Sequence, residues 1–76
     1  MALGRGECRL QKFRLKAGLT QVQLSDQLLK RFGLNVSDTL IGHLENNRRA
    51  MSIEILRAMS LIFKVPMDNF YTWPIE

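Results

Sequence analysis

The chain has 76 residues, 46% hydrophobic and 24% charged, with two Pro and five Gly, a globular composition rather than a disordered or collagen-like one. A chain this short buries roughly 60% of its unfolded surface, enough for one small core and too little for a second lobe with a deep substrate cleft, so large multidomain enzymes are excluded. The net charge of +4 favours a polyanionic partner without naming one.

The charge is unevenly spread. Residues 1–19 carry Arg5, Arg9, Lys12, Arg14 and Lys16 against Glu7, whereas residues 50–76 set Arg57 and Lys64 against Glu54, Asp68 and Glu76. The basic end is therefore N-terminal and central. A single cysteine, Cys8, cannot form an internal disulfide, which fits a reducing compartment. The first residues contain no apolar leader core, and unbroken aliphatic or aromatic runs reach only the length of Leu61-Ile62-Phe63. Neither export nor membrane spanning is expected, and the cytoplasm is the default location.

Taken in order, Leu10, Phe13 and Ala17 recur at helical spacing and predict a first helix over about Glu7 to Ala17, ended by Gly18. Thr20-Gln21-Val22-Gln23 matches a capping box, in which a Thr hydroxyl and a Gln amide each satisfy the other residue's backbone N–H. It opens a second helix with Val22, Leu24, Leu28 and Phe32 as its buried stripe and Lys30, Arg31 and Gly33 at its end. Ser37 is the next cap, with Asp38 in a first turn where the helix dipole favours negative charge, and Leu40, Ile41 and Leu44 follow before Asn46-Asn47-Arg48-Arg49 stops the run. Ser52 caps a fourth helix from Ile53 to about Phe63, with Leu56, Met59 and Phe63 on one stripe. Pro66 begins a final helical turn through about Tyr71, and Pro74 marks a frayed tail. The expected architecture is all-α, five short helices in one domain spanning 1–76, with a core from about 7 to 71 and a tail over 72–76.

The order and spacing of Leu10 and Arg14, Gly18-Leu19-Thr20-Gln21, Leu24, Val36-Ser37, Ile41, Glu45-Asn46, Leu56, Phe63, Val65 and Phe70 resemble the lambda-repressor-like helix-turn-helix regulators of Cro/C1 or XRE type. The resemblance covers roughly residues 9–71 and implies a compact lambda-repressor-like DNA-binding fold. The chain departs from the pattern at two places. Leu29 to Asn35 adds about six residues between the second and third helices, enough for a further helical turn and an extended connection. Asn47 stands where the family favours Gly, a mild change because Asn tolerates the left-handed conformation.

The resemblance implies that the third helix enters the DNA major groove, with Asp38, Thr39, Gly42 and His43 as base-contacting candidates. Asp38 would accept from a cytosine or adenine amino group, Thr39 would offer a hydroxyl or touch a thymine methyl, and His43 would donate to a base edge or phosphate. Gly42 would let the backbone approach closely. The alternatives are a helix-start charge for Asp38 and a solvated surface residue for His43. Phosphate contacts are implied for Gln21, Ser37, Asn46, Asn47 and Arg48, with Arg49 beside them, using helix N-termini that carry unpaired N–H groups; for Arg48 and Arg49 the alternative is a solvated loop. Arg14 and Glu45 match a family salt bridge tying the first helix to the third.

Catalysis has no support, because one His and one Cys make no metal cluster and no nucleophile motif is present; no metal, cofactor or small-molecule ligand is expected. One helix reads only a few base pairs, so a homodimer on inverted half-sites about one helical turn apart is expected. Ile55, Ile62, Tyr71 and Trp73, with Ile75 in the tail, are its candidate apolar contacts, although part of this set could instead close a very small core. The function expected from the sequence is a double-stranded DNA-binding transcriptional regulator of bacterial or phage origin, most often a repressor. The competing reading is a protein-interaction module of antitoxin or anti-repressor type on the same fold.

Overall fold

A computed structural model describes residues 6–73. Among them are four α-helices: α1 (Leu10–Lys16), α2 (Gln21–Phe32), α3 (Asp38–Glu45) and α4 (Ile53–Phe63). The expected fifth helix is a single 3-10 turn, Met67–Phe70, in which the Asn69 N–H donates to the Pro66 carbonyl at 3.0 Å. Four residues after a proline close an i to i+3 turn and end before an α-helix can propagate. Arg5 of the basic N-terminal stretch, and Pro74 and Ile75 of the tail, lie outside the described residues.

α1 begins at Leu10 rather than near Glu7 because residues 6–9 give their backbone groups to the other end of the chain. Gly6 N–H donates to the Thr72 carbonyl (2.5 Å), Thr72 N–H to the Glu7 carbonyl (3.0 Å), and Arg9 N–H to the Phe70 carbonyl (2.7 Å), around an isolated antiparallel bridge between Cys8 and Tyr71. A side-chain carbon at Gly6 would collide with the hydroxyl and carbonyl of Thr72, so this close pairing needs glycine.

The helix starts follow short-range chemistry. The Thr20 hydroxyl accepts from Gln23 N–H (3.1 Å) while Thr20 N–H donates to the Gln23 side-chain oxygen (2.9 Å), Ser37 accepts from Leu40 N–H (3.0 Å), and Ser52 accepts from Ile55 N–H (3.2 Å). Each cap satisfies an orphan donor at a helix start. At the other end of α3, Arg48 N–H reaches the His43 carbonyl (2.9 Å) and Asn47 N–H the Leu44 carbonyl (3.2 Å), a Schellman closure with Asn47 left-handed at φ 62°. Residues 29–32 are helical within α2, which leaves 33–37 as the connection to α3. The Ser25 hydroxyl holds that connection by donating to the Val36 carbonyl at 2.5 Å.

Leu10, Leu24, Leu28, Ile41, Leu44, Met59 and Phe70 are fully buried and form the centre of the core. Phe70 joins its parts, edge-on to Phe13 of α1 (5.1 Å between ring centres) and tilted against Phe63 of α4 (6.2 Å). Several expected core positions differ. Val22 is 63% exposed, because it lies two positions from Leu24 and so points away from the Leu24–Leu28 stripe. Ala17 is exposed and caps α1. Tyr71, expected at a dimer contact, is 4% exposed, and its hydroxyl accepts from the Met51 N–H at 3.1 Å; it belongs to the core.

Candidate nucleic-acid interface

A buried polar hub fixes α3 against the start of α2. Arg14 donates from Nε to Glu45 Oε2 (2.5 Å), from Nη2 to Glu45 Oε1 (3.3 Å) and from Nη1 to the Leu19 carbonyl (2.9 Å). The two side chains are only 9% and 3% exposed, so the pair is largely shielded from water and its geometry counts for more than that of a surface ion pair. Gln21, first residue of α2, adds a third donor, its Nε2 lying 3.1 Å from Glu45 Oε1. A carboxylate only accepts, so the Gln21 amide must turn its nitrogen inward and keep its carbonyl oxygen for another donor. One cluster thereby orients α1, the α1–α2 turn, the first residue of α2 and the last residue of α3.

The same amide lies over Gly42. A side chain grown at Gly42 would meet Gln21 Nε2 at 3.5 Å, ordinary van der Waals contact. A methyl group at position 42 would therefore fit beside Gln21 without displacing it.

That outward face begins at the Ser37 cap. Ile41 and Leu44 turn inward and are buried, whereas Asp38 and Thr39 are exposed and Gly42 and His43 half-buried. A helix repeats every 3.6 residues, so 38, 39, 42 and 43 share the side opposite the Ile41–Leu44 stripe. Residues 33–37 leave Asp38 and Thr39 uncovered; Leu34 instead lines a groove with Phe32, Ala58 and Leu61, beside α4. A second shallow groove brings Asp38 together with Thr20, Gln21 and Val22, so the starts of α2 and α3 border one surface. The exposed Val22, which sequence reasoning assigned to the core, stands on it beside Gln21.

Past α3, Asn46, Asn47, Arg48 and Arg49 are all exposed. The Asn47 side chain donates to the Gly6 carbonyl at 3.1 Å, tying this loop to the paired chain ends. Neither arginine joins an ion pair among the described residues, where the pairs are Arg14–Glu45 and Lys30–Asp26. Lys30 is held by Asp26 one turn earlier at 2.9 Å, and Arg31 lies over the Phe32 ring, 5.3 Å from its centre.

The expected dimer residues do not form one open patch. Ile55 and Ile62 are half-buried against the core, and Trp73, 39% exposed, rests against Tyr71 (5.8 Å between ring centres) with its indole N–H donated to the Asp68 carbonyl at 2.6 Å. The larger exposed apolar side chains of α4 are Ile53 (70%) and Leu61 (42%), a face the sequence did not single out. No group of three or more His, Cys, Asp or Glu residues able to hold a metal occurs among the described residues, and no helix among them is long and apolar enough to cross a membrane.

Searches among curated proteins and solved structures returned no significant match. The family comparison matches the helix-turn-helix family over residues 10–70, which takes in all four α-helices and the 3-10 turn. With its capped α2–α3 pair, its uncovered α3 face and this match across most of its length, the chain belongs to the Cro/C1-type (XRE) helix-turn-helix family of DNA-binding proteins.

Proposed function

We propose that this protein is a sequence-specific transcriptional repressor that lays α3 in the DNA major groove and binds an inverted-repeat operator as a homodimer. The supporting observation is the uncovered outer face of α3, Asp38 and Thr39 above all, bordered at one end by two capped helix starts and at the other by Asn46 to Arg49. Base edges are read by Thr39, through its hydroxyl or methyl, by Asp38 accepting from a cytosine or adenine amino group, and by His43 as a donor. Gly42, with no side chain on that face, lets the α3 backbone approach the bases closely.

The backbone is gripped by position. The N–H groups at the starts of α2 and α3, beside Gln21 and Ser37, face phosphate with the favourable end of each helix dipole. Arg48 and Arg49 supply charge, and Asn46 and Asn47 supply polar contacts on the far side of the groove. Repression follows from occupancy, as a bound dimer excludes polymerase from overlapping sequence.

Selection from random duplexes followed by a salt titration tests this reading. Each neutralised phosphate contributes a slope of about −0.9 in log affinity against log salt. Four arginines per dimer, Arg48 and Arg49 twice, should therefore give about −3.6 on the selected duplex. Selection of no consensus, with no salt-dependent binding to duplex DNA, would instead favour the protein-interaction reading of the same fold.

A further inference from the structure

The groove between the end of α2 and α4 is not used by the DNA-facing surface. Its walls and floor are Phe32, Leu34, Ala58 and Leu61, and Ile53 stands at its rim. Ile53 is 70% exposed, an apolar knob, and Ala58, the smallest side chain lining the groove, is 3% exposed and leaves room above it only as part of the groove floor. Glu54 and Arg57 border the same groove, and neither joins an ion pair among the described residues.

We infer that this groove receives α4 of a second copy of the chain, the two helices running antiparallel about a two-fold axis between Ile55 and Leu56. The inference rests on the homodimer reading above and locates its contact. With the axis at that point, residues whose numbers lie symmetrically about it face each other. Ile53 then enters the groove of the second copy over its Ala58, and Glu54 faces Arg57 of the second copy. A two-fold contact uses the same patch on both subunits, so each of these interactions occurs twice. One midpoint places the Ile53 knob over the groove floor at Ala58 and the acid on the base, charge complementarity expected of a self-complementary face. The arrangement also explains why an apolar residue sits exposed beside the Ser52 cap, where a polar side chain would serve the helix start equally well.

Sedimentation velocity over a concentration series, repeated with the selected duplex, tests the contact. Wild type should dimerise, and Ile53→Asp should weaken the dimer by at least about thirty-fold, the loss that marks a central interface residue. An acidic residue at the first position of a helix is compatible with its dipole, so this variant should keep its circular dichroism spectrum. Glu54→Arg and Arg57→Glu should each self-associate weakly, yet a mixture of the two should form a heterodimer because both ion pairs are then complementary. If any one variant misfolds, the others still decide the matter. An Ile53→Asp dimer of wild-type strength, or a mixture that associates no better than its components, would overturn the contact while leaving a homodimer built elsewhere. A wild type that stays monomeric, free and on DNA, would remove the homodimer reading itself and this contact with it.

Discussion

Removing Arg14 should damage the fold far more than removing any other arginine. Its guanidinium makes three hydrogen bonds from a side chain only 9% exposed, two of them to a Glu45 carboxylate that is 3% exposed and accepts also from Gln21. In Arg14→Met the buried carboxylate keeps one neutral donor, and breaking a buried pair in this way costs about 3–5 kcal/mol. At roughly 4–8 °C per kcal/mol for a chain of this size, the melting temperature should fall by about 12 °C or more. Arg48→Ala, at an exposed loop position, should change stability by less than about 0.5 kcal/mol. Thermal and urea unfolding of Arg14→Met, Glu45→Leu and the double variant complete the cycle. The double should be clearly less destabilised than the sum of the singles, because replacing both charges leaves no unpaired ion. A loss below about 1 kcal/mol for Arg14→Met, or additive losses in the double, would refute the assignment of this pair as the tie between α1 and α3.

Four further outcomes are expected. Tyr71→Phe removes the acceptor of the buried Met51 N–H and should cost about 1–3 kcal/mol in urea unfolding, with no change in self-association. Lys64 ends α4 in the left-handed region at φ 57°, and relieving that conformation with Lys64→Gly should raise the melting temperature by a few degrees, since the roughly 1–2 kcal/mol of strain exceeds the roughly 0.5–1 kcal/mol entropy cost of glycine. Thr39→Ala should relax base preference at one operator position, seen by repeating the duplex selection, whereas Arg48→Ala should weaken all duplexes alike and flatten the salt slope by about 0.9 per subunit.

Features that depend on a few neighbouring residues were readable from the sequence. Thr20 with Gln23, and the caps Ser37 and Ser52, mark the starts of α2, α3 and α4 because a hydroxyl and an N–H three positions on meet whatever the rest of the chain does. The Arg14–Glu45 contact was legible only through the family pattern, since 31 positions separate the partners. α1 starts at Leu10, later than its local spacing indicates, because Gly6 to Arg9 pair with Phe70 to Thr72, a competition that no local signal announces. In α4 the stripe expected from spacing faces inward, with Met59 fully buried and Leu56 and Phe63 packed against the core, but apolar residues also flank it, so spacing did not show that Ile55 and Ile62 join it. Ile55, four positions before Met59, and Ile62, three after it, share its side and pack against the core, which leaves Leu61 on the opposite side toward solvent. The Gln21–Glu45 hydrogen bond had no sequence signal, because it depends on how α2 crosses α3.

Backbone amide shifts on titration with the selected duplex test the placement of α3 most directly. Asp38, Thr39, Gly42 and His43 should show the largest changes, joined by Gln21 and by Asn46 to Arg49, while Ile53, Arg57 and Leu61 stay still at a concentration where the dimer is already formed. Changes centred on residues 53–61, with 38–43 unmoved, would contradict the account.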